Sequence, residues 1–110
     1  MKYALPLLIL GTPVLADPAL VEEVSYDAGR FEVTVSHGDT GWDDYADGWR
    51  VELADGTVLG TRNLVHPHVE EQPFTRSSSI AVPSGVTEVF IRTSTTVEGW
   101  ADTTTRVRLD

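Results

Sequence analysis

The chain has 110 residues, enough for one small domain, and it contains no cysteine. Its formal net charge of −9 argues against nucleic acid and anionic membranes as partners, because both bind clustered lysine and arginine. Without a thiolate, disulfides and blue-copper electron transfer are excluded.

Residues 1–16 are predicted to be a cleavable secretory signal peptide. Lys2 supplies the positive start, residues 3–10 are mostly apolar, and Val14 and Ala16 occupy the small-residue positions of a cleavage site. The apolar run is shorter than the roughly 20 residues that a membrane span needs. The mature protein is therefore expected to be periplasmic or secreted, with no membrane association and, since no cysteine follows Ala16, no lipid anchor.

Removal of this leader would make the mature chain more acidic. Lys2 is the one lysine, so the eight cations fall to seven arginines against 17 carboxylates, a formal net charge of −10. This balance is compatible with binding cations and with staying soluble outside the cell. Residues 17–110 are predicted to form a single domain.

Alternation of apolar and polar residues dominates residues 17–110 and predicts short β-strands. Turn signals lie between them: Asp27-Ala28-Gly29, Pro83-Ser84-Gly85, and Asp55-Gly56, for which a two-residue type I′ hairpin is predicted. About seven strands in this length favour an immunoglobulin-like β-sandwich, with a small barrel as the alternative. The predicted strands are 20–26, 31–36, 49–53, 57–62, 79–82, 87–93 and 104–109.

Residues 36–48 and 64–75 lack the strand pattern and are predicted as loops, where function commonly lies. Oxygen-rich loops with glycines can bind Ca²⁺, but the residue order of an EF-hand is missing from the first loop. The alternative is a solvated acidic loop whose aspartates cap turns, with Trp49 and Trp42 in the core. From position 37 to 49 the chain carries His37, Asp39, Trp42, Asp43, Asp44, Tyr45, Asp47 and Trp49.

His66 and His68, in the second loop, are the leading candidates for metal ligands. Residues two apart point the same way in extended backbone, and Pro67 favours that backbone for His66. Neutral imidazoles arranged in this way can share one Zn²⁺, Cu²⁺ or Ni²⁺ ion. The remaining histidine, His37, lies in the other predicted loop and is a candidate third ligand; two surface histidines without a metal are the alternative.

Aromatic residues on the loops offer a second kind of site. Trp42, Tyr45 and Trp100 lie beside carboxylates, so exposed rings there could bind a protein or a glycan by stacking and hydrogen bonds. Catalytic signatures are lacking, including the G-x-S-x-G elbow and H-E-x-x-H. A non-enzymatic domain is expected; a small hydrolase would need a histidine bonded to a serine or carboxylate in a pocket.

The strings TGWDDYADGW at 40–49, LG at 59–60, HPH at 66–68 and EQPFTRS at 71–77 stand out in the chain. Together they resemble an uncharacterised family of small exported bacterial and archaeal proteins. In that family, histidine is expected at the positions of Asp44 and Glu98. The resemblance thus implies a metal site on adjoining loops, to which this chain contributes histidines and the carboxylates of Asp44 and Glu98, which favour harder ions.

Four features follow one another along the chain: an aromatic strand start, a D-G hairpin, a loop that reaches a phenylalanine, and a late Gly-Trp loop. This order is similar to that in desulfoferrodoxin-type superoxide reductases. Their catalytic domain is an immunoglobulin-like sandwich with an iron centre of four histidines and one cysteine. On this pattern Asp44 and Glu98 fall on histidine positions and Thr95 falls on the cysteine. The resemblance implies the sandwich and which loops meet, but not the activity.

Overall fold

The computed structural model describes residues 17–110, which form eight β-strands in two antiparallel sheets. The predicted signal peptide, residues 1–16, lies outside the described residues. Within residues 17–110 no helix is long and apolar enough to cross a membrane. The strands are β1 (Leu20–Asp27), β2 (Arg30–Ser36), β3 (Ala46–Glu52), β4 (Val58–Asn63), β5 (Phe74–Ser79), β6 (Glu88–Thr95), β7 (Gly99–Trp100) and β8 (Thr105–Arg108).

The strand order confirms the predicted sandwich. One sheet has the order β1-β2-β5, and the other has β4-β3-β6, with β7 and β8 both pairing with β6. The short β7 pairs with the end of β6, and β8 pairs with its beginning, so the two act as one interrupted strand. Seven strand positions in two antiparallel sheets, with crossings from β2 to β3 and from β4 to β5, are the immunoglobulin-like arrangement.

The core lies between the sheets and follows from the alternation in the sequence. Phe31, Val33 and Val35 of β2 are fully buried, whereas their strand neighbours face outward. Trp49, on the third strand, is the largest fully buried side chain, as in many immunoglobulin domains. With no disulfide to connect the sheets, packing of this apolar layer is the main force that holds them together.

One predicted strand is wrong. The sequence pattern placed a strand at 79–82 and left 64–75 as loop, but β5 is Phe74–Ser79. Only Phe74 and the following Ile80 bring apolar surface to the core, and the residues between them are polar. This edge strand is specified by its ladder with β2, in which Val35 is opposite Phe74, and not by alternation.

The type I′ turn also lies in a different hairpin from the predicted one. Ala28 and Gly29, between β1 and β2, both have positive φ, 51° and 90°, as a type I′ turn requires. In the β3–β4 hairpin only Gly56 has positive φ, and its N–H donates to the carbonyl of Leu53. That hairpin therefore has a longer loop that ends in a left-handed glycine.

Candidate functional site

Four segments meet at one end of the sandwich, named here the loop end: residues 17–19, the β2–β3 loop (37–45), residues 64–73 before β5, and the β6–β7 turn (96–98). The main chains of Thr96 and Tyr45 are hydrogen-bonded, which connects the turn to the β2–β3 loop. Asp17 contacts Glu98 of the turn and His37 of the loop. The fold thus brings together the regions in which the predicted site residues lie, except Trp100, which belongs to β7.

Asp39 is the organising residue of the loop end. Its side chain is completely buried and accepts hydrogen bonds from three segments. Oδ1 accepts from His37 Nδ1 at 2.6 Å and from the N–H of Ala46 at 3.0 Å, while Oδ2 accepts from the N–H of His68 at 2.8 Å. In the sequence Asp39 is one of four loop carboxylates, and nothing in the local pattern separates it from its exposed neighbours.

His37 is buried beside Asp39, with its second ring nitrogen directed toward acceptors. Nε2 lies 3.1 Å from the carbonyl oxygen of Asp17, 3.4 Å from Asp17 Oδ2 and 3.9 Å from Asp44 Oδ1. The main-chain N–H donates to Gln72 Oε1 at 2.9 Å. Of the contacts that the hydrolase alternative requires, the His37 ring has the carboxylate of Asp39, and among residues 17–110 it is hydrogen-bonded to no hydroxyl group.

His68 is held by packing and by a cation. Its ring stacks on Phe74, with centroids 3.8 Å apart, and Nε2 lies 2.7 Å from Arg76 Nη2. A guanidinium can only donate, so Nε2 must be the acceptor of this bond. Burial lowers the pKa of His68, and the positive charge of Arg76 lowers it further. The neutral imidazole is therefore the form that this site favours.

The rings of the predicted pair, His66 and His68, are adjacent but differ in exposure and in contacts. The exposed ring of His66 lies 4.5 Å from that of His68, centroid to centroid, and its Nδ1 is 3.1 Å from the carbonyl of Pro67. A metal on Nε2 of His68 would have to displace Arg76, and Nδ1 is buried without a hydrogen-bond partner among the described residues. The two histidines do not form an open chelate.

Glu98 faces the N-terminal segment, and its carboxylate accepts from the main-chain N–H of Asp17. In the described part of the chain, no three histidine or carboxylate side chains form a group that could hold a metal ion as they stand. The predicted metal site, with His66 and His68 as its leading ligands and His37 as a candidate third, stays a prediction. Its members are His66, His68, His37, Asp44 and Glu98.

The predicted ligand-stacking aromatics reach the surface. Trp42 is 68% exposed, so the alternative that placed it in the core is wrong. Its ring packs edge-on against Tyr45, with centroids 5.7 Å apart at 82°. Trp100 is 38% exposed and lies over the guanidinium of Arg50 at 4.2 Å. These rings form two exposed aromatic sites on the molecule.

Hydrogen bonds hold the loop that carries Trp42 in one shape. The N–H of Thr40 donates to the carbonyl of Asp44, and the N–H of Asp44 donates to that of Gly41. Thr96 Oγ1 accepts from the N–H of Tyr45 at 3.0 Å and lies 3.3 Å from the carbonyl of Asp43. Trp42 therefore lies on a turn that several hydrogen bonds hold in place.

A groove of about 360 Å³ lies beside Trp100. The apolar residues Pro18 and Ala101 and the polar residues Glu98, Asp102 and Thr103 complete its lining. An aromatic ring next to carboxylates suits hydroxyl-rich or cationic groups. The sequence indicates Trp100 as a candidate but gives no sign of this groove, because Pro18 is more than eighty positions away in the chain.

A second buried carboxylate lies on the outer face of the larger sheet. Glu52 is 2% exposed although it points away from the core. Oε2 accepts from Arg50 Nε and from Arg92 Nε, both at 2.7 Å, and Oε1 accepts from Arg92 Nη2 at 3.1 Å. Hydrogen bonds from Arg92 are the largest cause of a lowered pKa of Glu52. Arg92 also donates to the carbonyl of Ala101.

Comparison with known proteins finds one relative over part of the chain. The chain is 51% identical over 65 residues to a protein of Halomicrobium mukohataei named "Putative lipoprotein". The match covers 59% of this chain and 32% of that protein, so the chain spans about a third of its relative. No family model matches, and no solved structure matches. The similarity to superoxide reductases therefore depends on the sequence pattern alone.

Proposed function

We propose that the protein is an exported, non-enzymatic binding module whose ligand surface is the loop end. The signal peptide predicted at residues 1–16 and the name of the relative, "Putative lipoprotein", both support export. The periplasm or the exterior of the cell is the proposed location. The relative's name specifies no ligand, so the binding proposal rests on the loop end itself.

The exposure of Trp42 is the observation that carries this proposal. A tryptophan that is 68% exposed on a hydrogen-bonded turn contributes nothing to the core and displays a large ring to solvent. Because the loop is already tied to Thr96, little conformational entropy is lost when a ligand covers the ring. Tyrosine and tryptophan are the side chains that most often dominate binding surfaces.

The ligand's chemistry is constrained by the charge around the rings. Asp43 and Asp44 directly follow Trp42 in the chain, and Glu98 and Asp102 line the groove at Trp100. The formal net charge of the whole chain is −9. A glycan would stack on the rings and donate hydroxyls to the carboxylates. A protein partner would present basic or aromatic side chains.

The experiment is a comparison of variants against whichever ligand the protein binds. The mature protein is screened on a polysaccharide array and against envelope proteins, and each hit is titrated. We expect Trp42→Ala to weaken binding at least about tenfold, the usual effect at an aromatic hot spot. Val58→Ala, at a 45% exposed valine of β4 that lies outside the loop end, is the matched control. Equal weakening by both variants, or no effect of Trp42→Ala, would reject the proposed surface.

A divalent cation is the second candidate ligand, favoured by the environment of His37. Asp39 accepts from Nδ1, which leaves Nε2 as the coordinating atom, as in many metal sites. Asp17 Oδ2 and Asp44 Oδ1 lie 3.4 Å and 3.9 Å from Nε2. Both carboxylates reach solvent and would have to turn toward the ion to complete a shell with His37.

Calorimetric titration with Zn²⁺, Cu²⁺, Ni²⁺ and Ca²⁺ tests the cation proposal. An Asp17→Asn/Asp44→Asn variant removes the carboxylates beside His37, and a His66→Ala/His68→Ala variant removes the predicted pair. Loss of binding in the first variant alone places the ion at His37, and loss in the second alone places it at the histidine pair. No heat from any ion would end the proposal for both places.

A further inference from the structure

The segment that directly follows the predicted cleavage site is built into the sandwich. Ala19 is 5% exposed in the core, and its carbonyl accepts from Thr93 Oγ1 at 2.8 Å. The carbonyl of Asp17 lies 3.1 Å from His37 Nε2. The main-chain nitrogen of Asp17 lies 3.2 Å from Oε1 and 3.4 Å from Oε2 of Glu98. Hydrogen bonds and packing therefore hold the polypeptide in the sandwich from Asp17, its first predicted mature residue, onward.

The contact between Asp17 and Glu98 is better suited to an amino group than to an amide. An amide nitrogen has one hydrogen and no charge, yet here it is within 3.4 Å of both oxygens of a carboxylate. Cleavage after Ala16 would convert this nitrogen into an α-ammonium, which has three hydrogens and a positive charge. Ammonium–carboxylate hydrogen bonds are about twice as strong as neutral ones.

We propose that the amino group created at Asp17 by removal of the leader forms an ion pair with Glu98. This pair fastens residues 17–19 to the β6–β7 turn more strongly than the amide of the unprocessed chain does. The inference rests on the predicted cleavage after Ala16 and is independent of which ligand the loop end binds. It assigns Glu98 the role of an anchor for the mature N-terminus.

The groups around the α-ammonium of Asp17 favour its charged form. Glu98 faces it from the β6–β7 turn, and the side chain of Asp17 lies on the same residue. From the β2–β3 loop, His37 is the nearest ionisable group, with Asp39 behind it and Asp44 at 3.9 Å from Nε2. Carboxylates outnumber the one histidine here, so the ammonium form is stabilised against loss of its proton.

The test compares the mature protein that begins at Asp17 with the same protein acetylated on its amino group. Mass spectrometry of protein expressed with its leader first establishes the N-terminal residue. We expect acetylation to lower the Tm at pH 7 by about 2–5 °C, the scale of one partly exposed ion pair in a domain of this size. In a Glu98→Gln background the two forms should melt within about 1 °C of each other. Glu70→Gln, at an exposed carboxylate, is the control that should keep the full effect of acetylation.

Equal acetylation effects in wild type and Glu98→Gln, or a mature N-terminus other than Asp17, would each overturn the proposal.

Discussion

Asp39 and Glu52 are both buried carboxylates, but their partners differ in kind. Asp39 binds two main-chain N–H groups and an imidazole, from segments as far apart in sequence as Ala46 and His68. Glu52 binds two guanidinium groups, on its own strand and on the neighbouring one. The first carboxylate therefore determines the shape of the loops, and the second reinforces a sheet that its backbone ladder already defines.

The two carboxylates also differ in what their hydrogen-bond donors could do if the carboxylate were removed. If Glu52 were removed, Arg50 and Arg92 could turn to water, since about a quarter of each side chain is already exposed. The N–H of Ala46 and the N–H of His68 are fixed in buried main chain and would find no other acceptor. Unsatisfied buried groups destabilise more than the loss of a solvated ion pair.

Replacement of Asp39 should give the largest effect. Asp39→Ala leaves two buried N–H groups and the Nδ1–H of His37 without an acceptor, and we expect it to lower the free energy of unfolding by about 3–5 kcal/mol. Urea unfolding followed by tryptophan fluorescence measures this. Asp43→Ala, at an exposed aspartate of the same loop, should change it by less than about 0.5 kcal/mol. If the two variants differ by less than 1 kcal/mol, Asp39 does not organise the loop end.

Replacement of Glu52 should be milder and confined to the sheet. We expect Glu52→Ala to cost about 2–3 kcal/mol, below the range for a fully buried pair because the arginines keep access to water. Glu88→Ala, which removes a partner of Arg106 in an exposed pair, should cost about 0–1 kcal/mol. Amide NMR spectra should show the loop end unchanged in both. If the amide chemical shift of His37 changed as much in Glu52→Ala as in Asp39→Ala, the two regions would not be distinct in this respect.

The smallest effect concerns the pH dependence contributed by His68. Its pKa is lowered by burial and by Arg76, so the folded protein binds its proton less readily than the unfolded chain does. The stabilisation is therefore complete above the unfolded value of about 6.5 and is lost as the pH falls below it. Between pH 7 and pH 5 the wild type should lose more stability than His68→Gln, as measured by urea unfolding at each pH. The exposed His66, replaced by Gln, serves as control and should keep most of the wild-type pH profile, because His66 contributes less to the lowered pKa of His68 than burial and Arg76 do.

The sequence predicted most of the strands because their residues alternate. β1, β2, β3, β4, β6 and β8 each lie on a predicted strand, within a few residues at either end. It failed at β5, where the residues after Phe74 are polar and only pairing with β2 specifies a strand. Alternation reports which face is buried, so it cannot detect a strand whose stability comes mainly from backbone hydrogen bonds.

The candidate site was predicted in part. The loops follow from the residues that lie between strands. The sequence left Trp42 open between the surface and the core, and Glu98 became a candidate only through the resemblance to the exported family. The roles of Asp39, Gln72 and Pro18 did not follow from the local sequence, because each contacts a residue at least 29 positions away. Histidine spacing suggested a chelate at His66 and His68, whereas tertiary packing placed Arg76 and Phe74 against His68.

By itself, the sequence determined the class of fold, the absence of thiolate chemistry and the location of the loops. Each of these depends on composition or on local periodicity, which any folded form of the chain must respect. Only the tertiary structure decided which carboxylates are buried. Asp39 and Asp43 differ little as sequence, but burial of a charge requires donors from distant segments to meet at one point, and that meeting is a property of the fold.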